Sequence, residues 1–301
     1  MPPLTAPVPV ADEFPPRRRS LGCLVGALVV AALVVAGAYA GVQWFRSGMD
    51  LGGEVCRATA SGTTVSLSPE QMDNAATIVA IGLGRGLPAR AGTIAIATAI
   101  QESKLRNINY GDRDSLGLFQ QRPSQGWGTP EQILDPVFST NAFYDALVAI
   151  TGYEEMVITE VAQAVQRSAY PDAYADHEIE GRVIASTLAG HTQASMVCRL
   201  DAPTRHTEVD DLVADLASQL KVGGTVSEEG TVIVVEAADE RAAWSVGQYL
   251  VAKADRHSIT AVQVGDRRWE RASGRTALQW QEADDQGAPT RVVATLTPDG
   301  G

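Results

Sequence analysis

The segment Ala89–Ser103, which reads ARAGTIAIATAIQES, decides how the first half of this 301-residue chain folds. Between Gly92 and Ile100 the segment is apolar almost all round and is interrupted only by threonines. A helix of that character is usually buried in the middle of a domain. We therefore predict a central buried helix that begins near Pro88 and closes with Gln101-Glu102-Ser103.

Glu102 is the anomalous residue of this helix. In helical spacing it continues a stripe of small residues, namely Ala91, Ala95, Thr98 and Ala99. Burial and the negative end of the helix dipole both disfavour a charged carboxylate, so both should raise its pKa. A carboxylic acid that stays protonated near neutral pH is what a glycosidase needs to protonate a leaving oxygen. The alternative is a glutamate that only pairs with Arg106 or Arg113.

Helix signals flank this segment on both sides. Ser68-Pro69-Glu70-Gln71 combines an N-cap serine with proline at the first helical position, and this helix should run to about residue 83. Residues 104–128 are typical of a loop. A short helix is expected from Thr129, and further helices near 136–151, 159–169 and 173–196, with no strand of any length. Residues 67–200 are therefore predicted to form a mainly α domain.

The pattern changes after residue 200. Predicted helices at 208–220 and 239–256 are interspersed with alternating or β-branched stretches at 231–235, 259–264, 277–281 and 291–296. This pattern predicts a small α+β accessory domain over residues 201–301. Trp244, Trp269 and Trp280 are expected in its core rather than on a binding face. We expect this domain either to dock a protein partner of the cell envelope or to position the preceding domain.

The N-terminal region indicates export. Residues 21–45 carry no charge and are long enough to cross a bilayer as one helix, with Arg17-Arg18-Arg19 directly before them. The positive-inside rule then puts residues 1–20 in the cytoplasm as a disordered tail, and the main body outside the cytoplasmic membrane. Residues 46–66 are predicted to be a linker. The alternative is a signal peptide cleaved at Ala38-Tyr39-Ala40, which also exports the rest of the chain.

The cysteines fit an oxidising compartment. Cys56 and Cys198 lie outside the predicted anchor, close to the two ends of the predicted helical domain. Two cysteines in an exported protein can pair, so we predict a disulfide that ties these ends together.

Composition disfavours several classes of function. The formal net charge is −12, which argues against nucleic acid as a partner because phosphate binding needs clustered lysine and arginine. The four histidines show no metal-ligand spacing, and no phosphate-binding glycine loop is present. We therefore expect neither a metal nor a cofactor.

Three short segments within about residues 70–195 form a recognisable set. They are Gln101-Glu102-Ser103 at a helix end, Ser115-Leu116-Gly117-Leu118-Phe119-Gln120 in a loop, and Ala169-Tyr170-Pro171. They resemble, in that order, the Glu-Ser helix end, the Gly-Leu-Met-Gln element and the Ala-Tyr-Asn element of the lysozyme-like superfamily. That superfamily includes the goose-type lysozymes and the soluble lytic transglycosylases. The third segment departs from the pattern, because proline replaces the usual asparagine.

The resemblance implies a lysozyme-like fold and an enzyme that acts on peptidoglycan glycan strands. The bond cleaved would be the β-1,4 linkage between N-acetylmuramic acid and N-acetylglucosamine, with Glu102 as general acid/base. Tyr170 would sit beside the acid. Four residues would form the floor of the sugar groove, with the last of them hydrogen-bonding the substrate: Ser115, Gly117, Leu118 and Gln120.

A second carboxylate would decide the chemistry. If Asp112 or Asp114 stands across the cleft with room for a water, an inverting hydrolase is possible. Without one, the resemblance implies transglycosylation, in which the N-acetyl group of the substrate assists and its 6-hydroxyl attacks to give a 1,6-anhydro sugar. The alternative for both aspartates is a role in turns. Tyr110 and Trp127 are candidate sugar-stacking platforms, and ordinary packing is the alternative for Trp127.

A non-catalytic interpretation also stands. The chain could be a wall-binding or scaffold protein of a secretion, conjugation or division complex. Glu102 together with Gln120 favours the enzyme, because a protein without activity has no reason to retain a penalised buried acid. A transport function is disfavoured by the single predicted span.

Overall fold

The computed structural model describes residues 53–166, 171–204, 208–227 and 229–297, and of residues 171–173 it describes the backbone alone. The predicted tail (1–20), the predicted membrane anchor (21–45) and the start of the predicted linker lie outside the described residues. Among the residues that are described, no helix is both long enough and apolar enough to cross a membrane.

The first described element is a hairpin, which the sequence did not predict. Strand β1 (Val55–Ala60) and strand β2 (Thr63–Leu67) pair antiparallel around Ser61 and Gly62, whose φ angles are 50° and 77°. Two positive φ angles in a two-residue loop match the right-handed twist of a hairpin. Strand β3 (Met196–Arg199) pairs with the other edge of β1, so the sheet order is β2-β1-β3.

This sheet corrects the predicted fold class. We expected a mainly α lysozyme-like domain without strands, preceded by a linker over residues 46–66, and that expectation is wrong. The inward residues of β1 include Cys56, Ala58 and Ala60, which are small and give little strand signal. The partner strand β3 follows β1 by more than a hundred residues, so the pairing leaves no local pattern in the sequence.

Six helices lie between β2 and β3. They are α1 (Pro69–Gly84), α2 (Ala89–Ser103), α3 (Pro130–Ile133), α4 (Pro136–Val148), α5 (Ile158–Gln166) and α6 (Glu178–Leu188). Every residue of α2 from Ala91 to Ala99 is buried, which confirms the predicted central helix. The helix predicted over 173–196 is wrong in extent, because a 3-10 turn (Pro171–His177) precedes α6 and a loop leads from α6 to β3.

Helix α2 packs most closely against α6. At their crossing, a Cβ atom on Gly181 would lie 2.7 Å from the carbonyl oxygen of Thr93 and 3.2 Å from the amide nitrogen of Ala97. Glycine is therefore required at this point, because any side chain would push the two helices apart. The contact fixes where the C-terminal end of α2 emerges.

The remaining residues build a second, six-stranded antiparallel sheet. Helix α7 (Val209–Asp215) continues into a π-helical turn (Leu216–Leu220), and α8 (Glu240–Ala252) packs on the sheet. The sheet order is β4-β5-β9-β6-β7-β8. Its strands are β4 (Thr225–Val226), β5 (Val232–Glu236), β6 (Ile259–Val264), β7 (Arg267–Glu270), β8 (Gln281–Glu282) and β9 (Arg291–Leu296).

Most of the elements predicted for this region are present. Strands are found at the expected stretches 231–235, 259–264 and 291–296, and a helix within 239–256. The strand predicted over 277–281 is wrong, because Arg275–Leu278 forms a 3-10 turn and β8 begins only at Gln281. Trp269 and Trp280 are buried, as expected for core residues.

The chain on the two sides of residue 200 packs into one compact unit. Gln248 of α8 is fully buried and donates its amide N–H groups to the carbonyl oxygens of Thr187 (2.6 Å) and Thr192 (3.0 Å). Lys253, just after α8, is also buried and lies 2.7 Å from the Asp73 carboxylate on α1. Because buried polar groups need partners, these contacts tie α8 to the helices around α2.

The predicted disulfide is confirmed. Cys56 of β1 and Cys198 of β3 are register partners in the first sheet, and their sulfur atoms are bonded. The bond closes a loop with a sequence separation of 142 residues. It therefore joins the two ends of the segment that contains all six helices around Glu102.

Candidate active site

Glu102 lies in the last turn of α2 and is half-buried. The chain leaves the helix through Lys104 and Leu105, both in the left-handed region with φ of 55° and 57°. Their carbonyl oxygens accept hydrogen bonds from α1, at 2.7 Å from the Gln71 side-chain amide and at 2.9 Å from that of Asn74. The backbone directly after Glu102 is therefore fixed by the neighbouring helix.

Two side chains from other elements hydrogen-bond the Glu102 carboxyl group. The buried Tyr174, in the 3-10 turn before α6, donates its hydroxyl to Oε1 of Glu102 at 2.7 Å. Gln166, the last residue of α5, forms a second side-chain hydrogen bond to the same group. Gln166 Nε2 also donates to the carbonyl oxygen of Phe119 at 2.6 Å. The carboxyl group thus sits where α2, α5 and the Tyr174 turn meet.

Burial is the main influence on the protonation of Glu102. It raises the pKa of this carboxyl group above its usual value, because desolvation penalises the charged form. The hydrogen bonds from Tyr174 and Gln166 act in the opposite direction without cancelling the rise. Within the described residues neither Arg106 nor Arg113 forms an ion pair with Glu102, and Arg113 instead lies 3.9 Å from Asp112.

A tightly held loop, residues 115–121, borders the end of α2. Its two ends are joined by a pair of backbone hydrogen bonds between Leu116 and Gln121, at 2.9 and 3.0 Å. Ser103, next to Glu102, donates its hydroxyl to the carbonyl oxygen of Leu118 at 2.7 Å. Phe119 stacks on Phe143 of α4, with 4.5 Å between ring centroids. The loop is therefore anchored to both α2 and α4.

Gly117 makes this loop possible. Its φ is 76°, and a Cβ atom there would lie 2.6 Å from the carbonyl oxygen of Ile133. Only glycine adopts that conformation at that distance without strain. The glycine of the motif is thus explained by backbone geometry alone.

The predicted groove residues mainly build the loop itself. Ser115, Gly117 and Leu118 are buried. Gln120 is half-buried, and its amide donates to the carbonyl oxygens of Gly117 (3.2 Å) and Tyr110 (3.3 Å). A contact between Gln120 and substrate stays a prediction, as does a role for Tyr170, which lies outside the described residues.

Sequence reasoning missed the two residues that bond Glu102. Tyr174 belongs to a second Ala-Tyr pair, Ala173-Tyr174, which follows the predicted pair by four residues. That repetition was a signal for an alternative partner of the acid. Gln166 carried no such signal, since it is one of several polar residues on a short amphipathic helix.

The two candidate second carboxylates differ in their surroundings. Asp114 accepts hydrogen bonds from Arg122 Nε (2.7 Å), from the Ser124 amide (2.8 Å) and from the Ser124 hydroxyl (3.0 Å). The Arg122 guanidinium and the Ser124 groups hold the pKa of Asp114 well below its usual range. Asp112 projects into solvent, with 91% of its side chain exposed. Asp114 therefore clamps the loop, whereas Asp112 lies at the surface, 3.9 Å from the Arg113 side chain.

The two candidate stacking aromatics are also unequal. Tyr110 is exposed, at 69% of its surface, close to the Gln120 amide. Trp127 is half-buried and packs against the core. Contact of either ring with a sugar stays a prediction.

An open cleft of about 410 Å³ lies beside the end of α2. His177 bridges its walls, with one ring nitrogen 3.2 Å from the Gln101 amide oxygen and the other 2.9 Å from the Glu180 carboxylate. The cleft includes both neighbours of the Glu102-Ser103 pair, Gln101 and Lys104.

Comparison with known proteins adds no assignment. No protein-family model matches the chain, and no curated protein matches it. In the described part of the chain, no group of three or more histidine, cysteine, aspartate or glutamate side chains could hold a metal ion. The geometry around Glu102 and the short motifs are therefore what indicates a function for this chain.

Proposed function

We propose that this chain is a peptidoglycan lytic transglycosylase that cleaves the β-1,4 bond between N-acetylmuramic acid and N-acetylglucosamine. The observation that carries the proposal is the half-buried Glu102 carboxyl group, whose pKa is raised by burial and whose orientation is set by Tyr174. The carboxyl group lies beside the loop that contains the Gly117-Leu118-Phe119-Gln120 motif. The Ser103 hydroxyl donates a hydrogen bond to this loop.

In this mechanism Glu102 acts twice. Protonated at first, it donates its proton to the glycosidic oxygen as the bond to the muramic acid C1 breaks. The N-acetyl group of the substrate stabilises the positive charge that develops at C1. The resulting carboxylate of Glu102 then accepts the proton of the 6-hydroxyl as that oxygen attacks C1. The product carries a 1,6-anhydro ring, and Glu102 is protonated again.

The surroundings of the aspartates favour this route over hydrolysis. An inverting hydrolase needs a second carboxylate that activates a water on the opposite face of the sugar. The oxygens of Asp114 are engaged by Arg122 and Ser124, and its lowered pKa makes it a weak base. Asp112 is exposed, and the side chain that lies against it, Arg113, is exposed as well. Intramolecular attack by the 6-hydroxyl requires neither residue.

The two partners of Glu102 suit a group that is acid and base in turn. Burial favours the neutral acid, whereas hydrogen bonds from Tyr174 and Gln166 favour the carboxylate. The net effect is a raised pKa, and the two hydrogen bonds are available to stabilise the carboxylate form that accepts a proton in the second step.

An extracytoplasmic location is part of the proposal. The Cys56–Cys198 disulfide supports it, because disulfides persist in oxidising compartments and are rare in the cytosol. The uncharged stretch 21–45 would tether the enzyme to the cytoplasmic membrane and restrict it to nearby wall.

The test is digestion of purified peptidoglycan by the full-length chain, with mass analysis of the released fragments. We expect anhydro-ended fragments, and we expect Glu102→Gln to lower their rate of release at least about a thousandfold, since the amide cannot supply the proton. Glu160→Gln is the matched control, because it neutralises an exposed glutamate on α5. It should leave the rate unchanged.

Two results would contradict the proposal in different ways. Fragments with reducing ends would identify a hydrolase and direct attention back to Asp112 and Asp114. A folded chain that binds the wall and releases nothing would overturn the enzymatic function and leave the non-catalytic scaffold.

A further inference from the structure

A second cleft, of about 460 Å³, lies between the N-terminal end of α8, the β6–β7 turn and the loop that follows α6. That volume lies in the range of small-molecule and saccharide sites. None of the residues that bond Glu102 lines it. We call it the Trp244 cleft, after its aromatic residue. The polar and aromatic side chains that line it are Gln193, Glu240, Trp244, Asp266, Arg267 and Gln286.

Trp244 differs from the other tryptophans of the second sheet region. Trp269 donates its indole N–H to the carbonyl oxygens of Cys198 and Ala277, and Trp280 donates to that of Met196 at 2.8 Å. Trp244 is only 4% exposed, yet among the described residues its N–H has no such acceptor. The Trp244 Nε1 atom is not among the fully buried polar atoms without a partner, so this donor remains accessible to solvent. An accessible donor without a protein acceptor is available to a ligand in the cleft that Trp244 lines.

A neighbouring cleft of about 360 Å³ shares a lining residue, Arg267, with the first one. The consecutive loop residues Gln193 and Ala194 line the first and the second cleft respectively. Trp280 lines the second cleft and packs edge-on against Trp244, with 5.1 Å between ring centroids. We refer to the two adjacent clefts together as the depression, and two adjacent clefts suit a chain-like ligand better than a single small molecule.

The polar groups of the depression select the kind of ligand. Glu240 and Asp266 are acceptors, Arg267 and the Trp244 N–H are donors, and the side-chain amides of Gln193 and Gln286 are both. An anionic ligand would face two carboxylates. A cationic ligand would have no use for the guanidinium or the indole N–H. Hydroxyl groups donate and accept, so a neutral saccharide matches the whole set.

Each of the two carboxylates in the depression already has a partner within the protein. The Glu240 carboxylate accepts from Gln193 Nε2 at 2.9 Å, and the Asp266 carboxylate lies 3.9 Å from Arg267. A zwitterion needs opposite charges held apart, whereas here the arginine and its counter-ion are adjacent. This arrangement again favours an uncharged, hydroxyl-rich ligand.

We propose that this depression is a saccharide-binding site, which anchors the exported body to a neutral glycan through the Trp244 N–H and the surrounding carboxylates and amides. The site goes beyond the proposed cleavage chemistry. It assigns the region after residue 200 a binding role of its own, in place of a protein-docking role.

The probe is the full-length Glu102→Gln chain, labelled with ¹⁵N at tryptophan and kept in a detergent without a sugar headgroup. The chain has five tryptophans, so its indole N–H signals are few, and the Trp244 signal is identified by its loss in Trp244→Phe. Chitotetraose, the N-acetylglucosamine tetramer, should shift that signal saturably. Trp244→Phe should weaken binding about tenfold, as expected for one lost hydrogen bond within a site.

Trp269→Phe is the matched control. It removes an indole N–H from a buried tryptophan that lines neither cleft, and that N–H already donates to the carbonyl oxygens of Cys198 and Ala277. The affinity of this variant for the tetramer should stay within about twofold of that of the unmutated chain, because no ligand contact is lost. Equal weakening by the two variants would mean a general effect on packing and would overturn the site.

Maltotetraose distinguishes the source of the saccharide. A response to chitotetraose alone would indicate N-acetylated wall glycan, and a response to both would indicate hydroxyl recognition without the acetyl group. The absence of a Trp244 shift with either sugar at millimolar concentration would overturn the proposal, as would a shift produced only by a D-alanyl dipeptide. Because the readout is at Trp244 in an inactive background, its failure is separate from a failure of wall cleavage.

Discussion

At the scale of single residues, the surroundings of Glu102 and Asp114 shift the pKa values of these two carboxyl groups in opposite directions. Glu102 is penalised by burial and partly relieved by Tyr174, so its pKa rises. Asp114 is surrounded by donors from Arg122 and Ser124, so its pKa falls. Two carboxyl groups whose pKa values are pushed apart are typical of sites in which one donates a proton and the other is structural or electrostatic.

The hydrogen bond from Tyr174 gives a prediction for pH dependence. In the proposed mechanism the first step needs protonated Glu102, so kcat/KM should fall as the pH rises through the pKa of this group. Tyr174→Phe removes a donor that lowers this pKa, so the alkaline limb should move to higher pH while the maximal rate falls about tenfold. The release of wall fragments across a pH series measures both effects.

Tyr153→Phe provides the comparison for that experiment. Tyr153 is a buried tyrosine without a hydrogen bond to Glu102 in the described structure, so its hydroxyl can be removed away from the acid. It should leave the alkaline limb in place. If Tyr174→Phe lowered the rate without moving that limb, Tyr174 would be a structural residue and not a positioning residue for the acid.

At the scale of elements, the position of α2 is set by what lies against it. Small residues on α2 and Gly181 on α6 let these two helices meet at backbone contact. Helix α1 then fixes the chain after Glu102 through Gln71 and Asn74. A loop anchored on α2 and α4 completes the surroundings of the acid. The acid is therefore positioned by rigid elements, which suits a catalytic group.

Gly181→Ala tests this helix contact. Alanine would favour a helix by about 1 kcal/mol over glycine on propensity alone. Here its Cβ would meet the Thr93 oxygen at 2.7 Å, so overpacking should instead lower the free energy of unfolding by about 1–3 kcal/mol. Urea denaturation measures the change. Gly223→Ala, where a Cβ meets no atom within 4 Å, should be nearly neutral. A stabilised Gly181→Ala variant would mean that the helices are not in backbone contact.

At the scale of the whole molecule, the first sheet and its disulfide join the two ends of the helical region. β1 and β3 come from opposite ends of that region and are bonded through Cys56 and Cys198. Helix α8, from the later part of the chain, packs against α6 and β3. The region that carries Glu102 and the region that carries the Trp244 cleft therefore share one core.

Breaking the disulfide should destabilise this whole unit. For a loop with a sequence separation of 142 residues, the loss expected from chain entropy is about 3–5 kcal/mol in unfolding free energy. Denaturation with and without a reductant, with thiol titration to verify reduction, measures it. Cys23→Ser is the control, because this third cysteine is outside the bonded pair. An unchanged midpoint after verified reduction would contradict the role assigned to the bond.

Local sequence patterns were enough to predict the features that depend on interactions between residues close together in the chain. An apolar segment without a polar face had to form a buried helix, and Ser68-Pro69 had to begin one. The β-branched stretches after residue 200 formed strands, and the predicted export pointed to the pairing of Cys56 with Cys198, which the structure shows. Each of these follows from side-chain chemistry within a short stretch of chain, or from the compartment.

Only the tertiary structure decided the rest. β1 and β3 pair although the whole helical region separates them in sequence, and the small inward residues of β1 do not predict a strand. Tyr174, which the motif did not indicate, donates to Glu102, and Asp114 is clamped by Arg122. The indole N–H of Trp280 donates to the carbonyl oxygen of Met196, whereas that of Trp244 has no acceptor among the described residues. Each of these outcomes depends on contacts between distant parts of the chain, which local propensity does not encode.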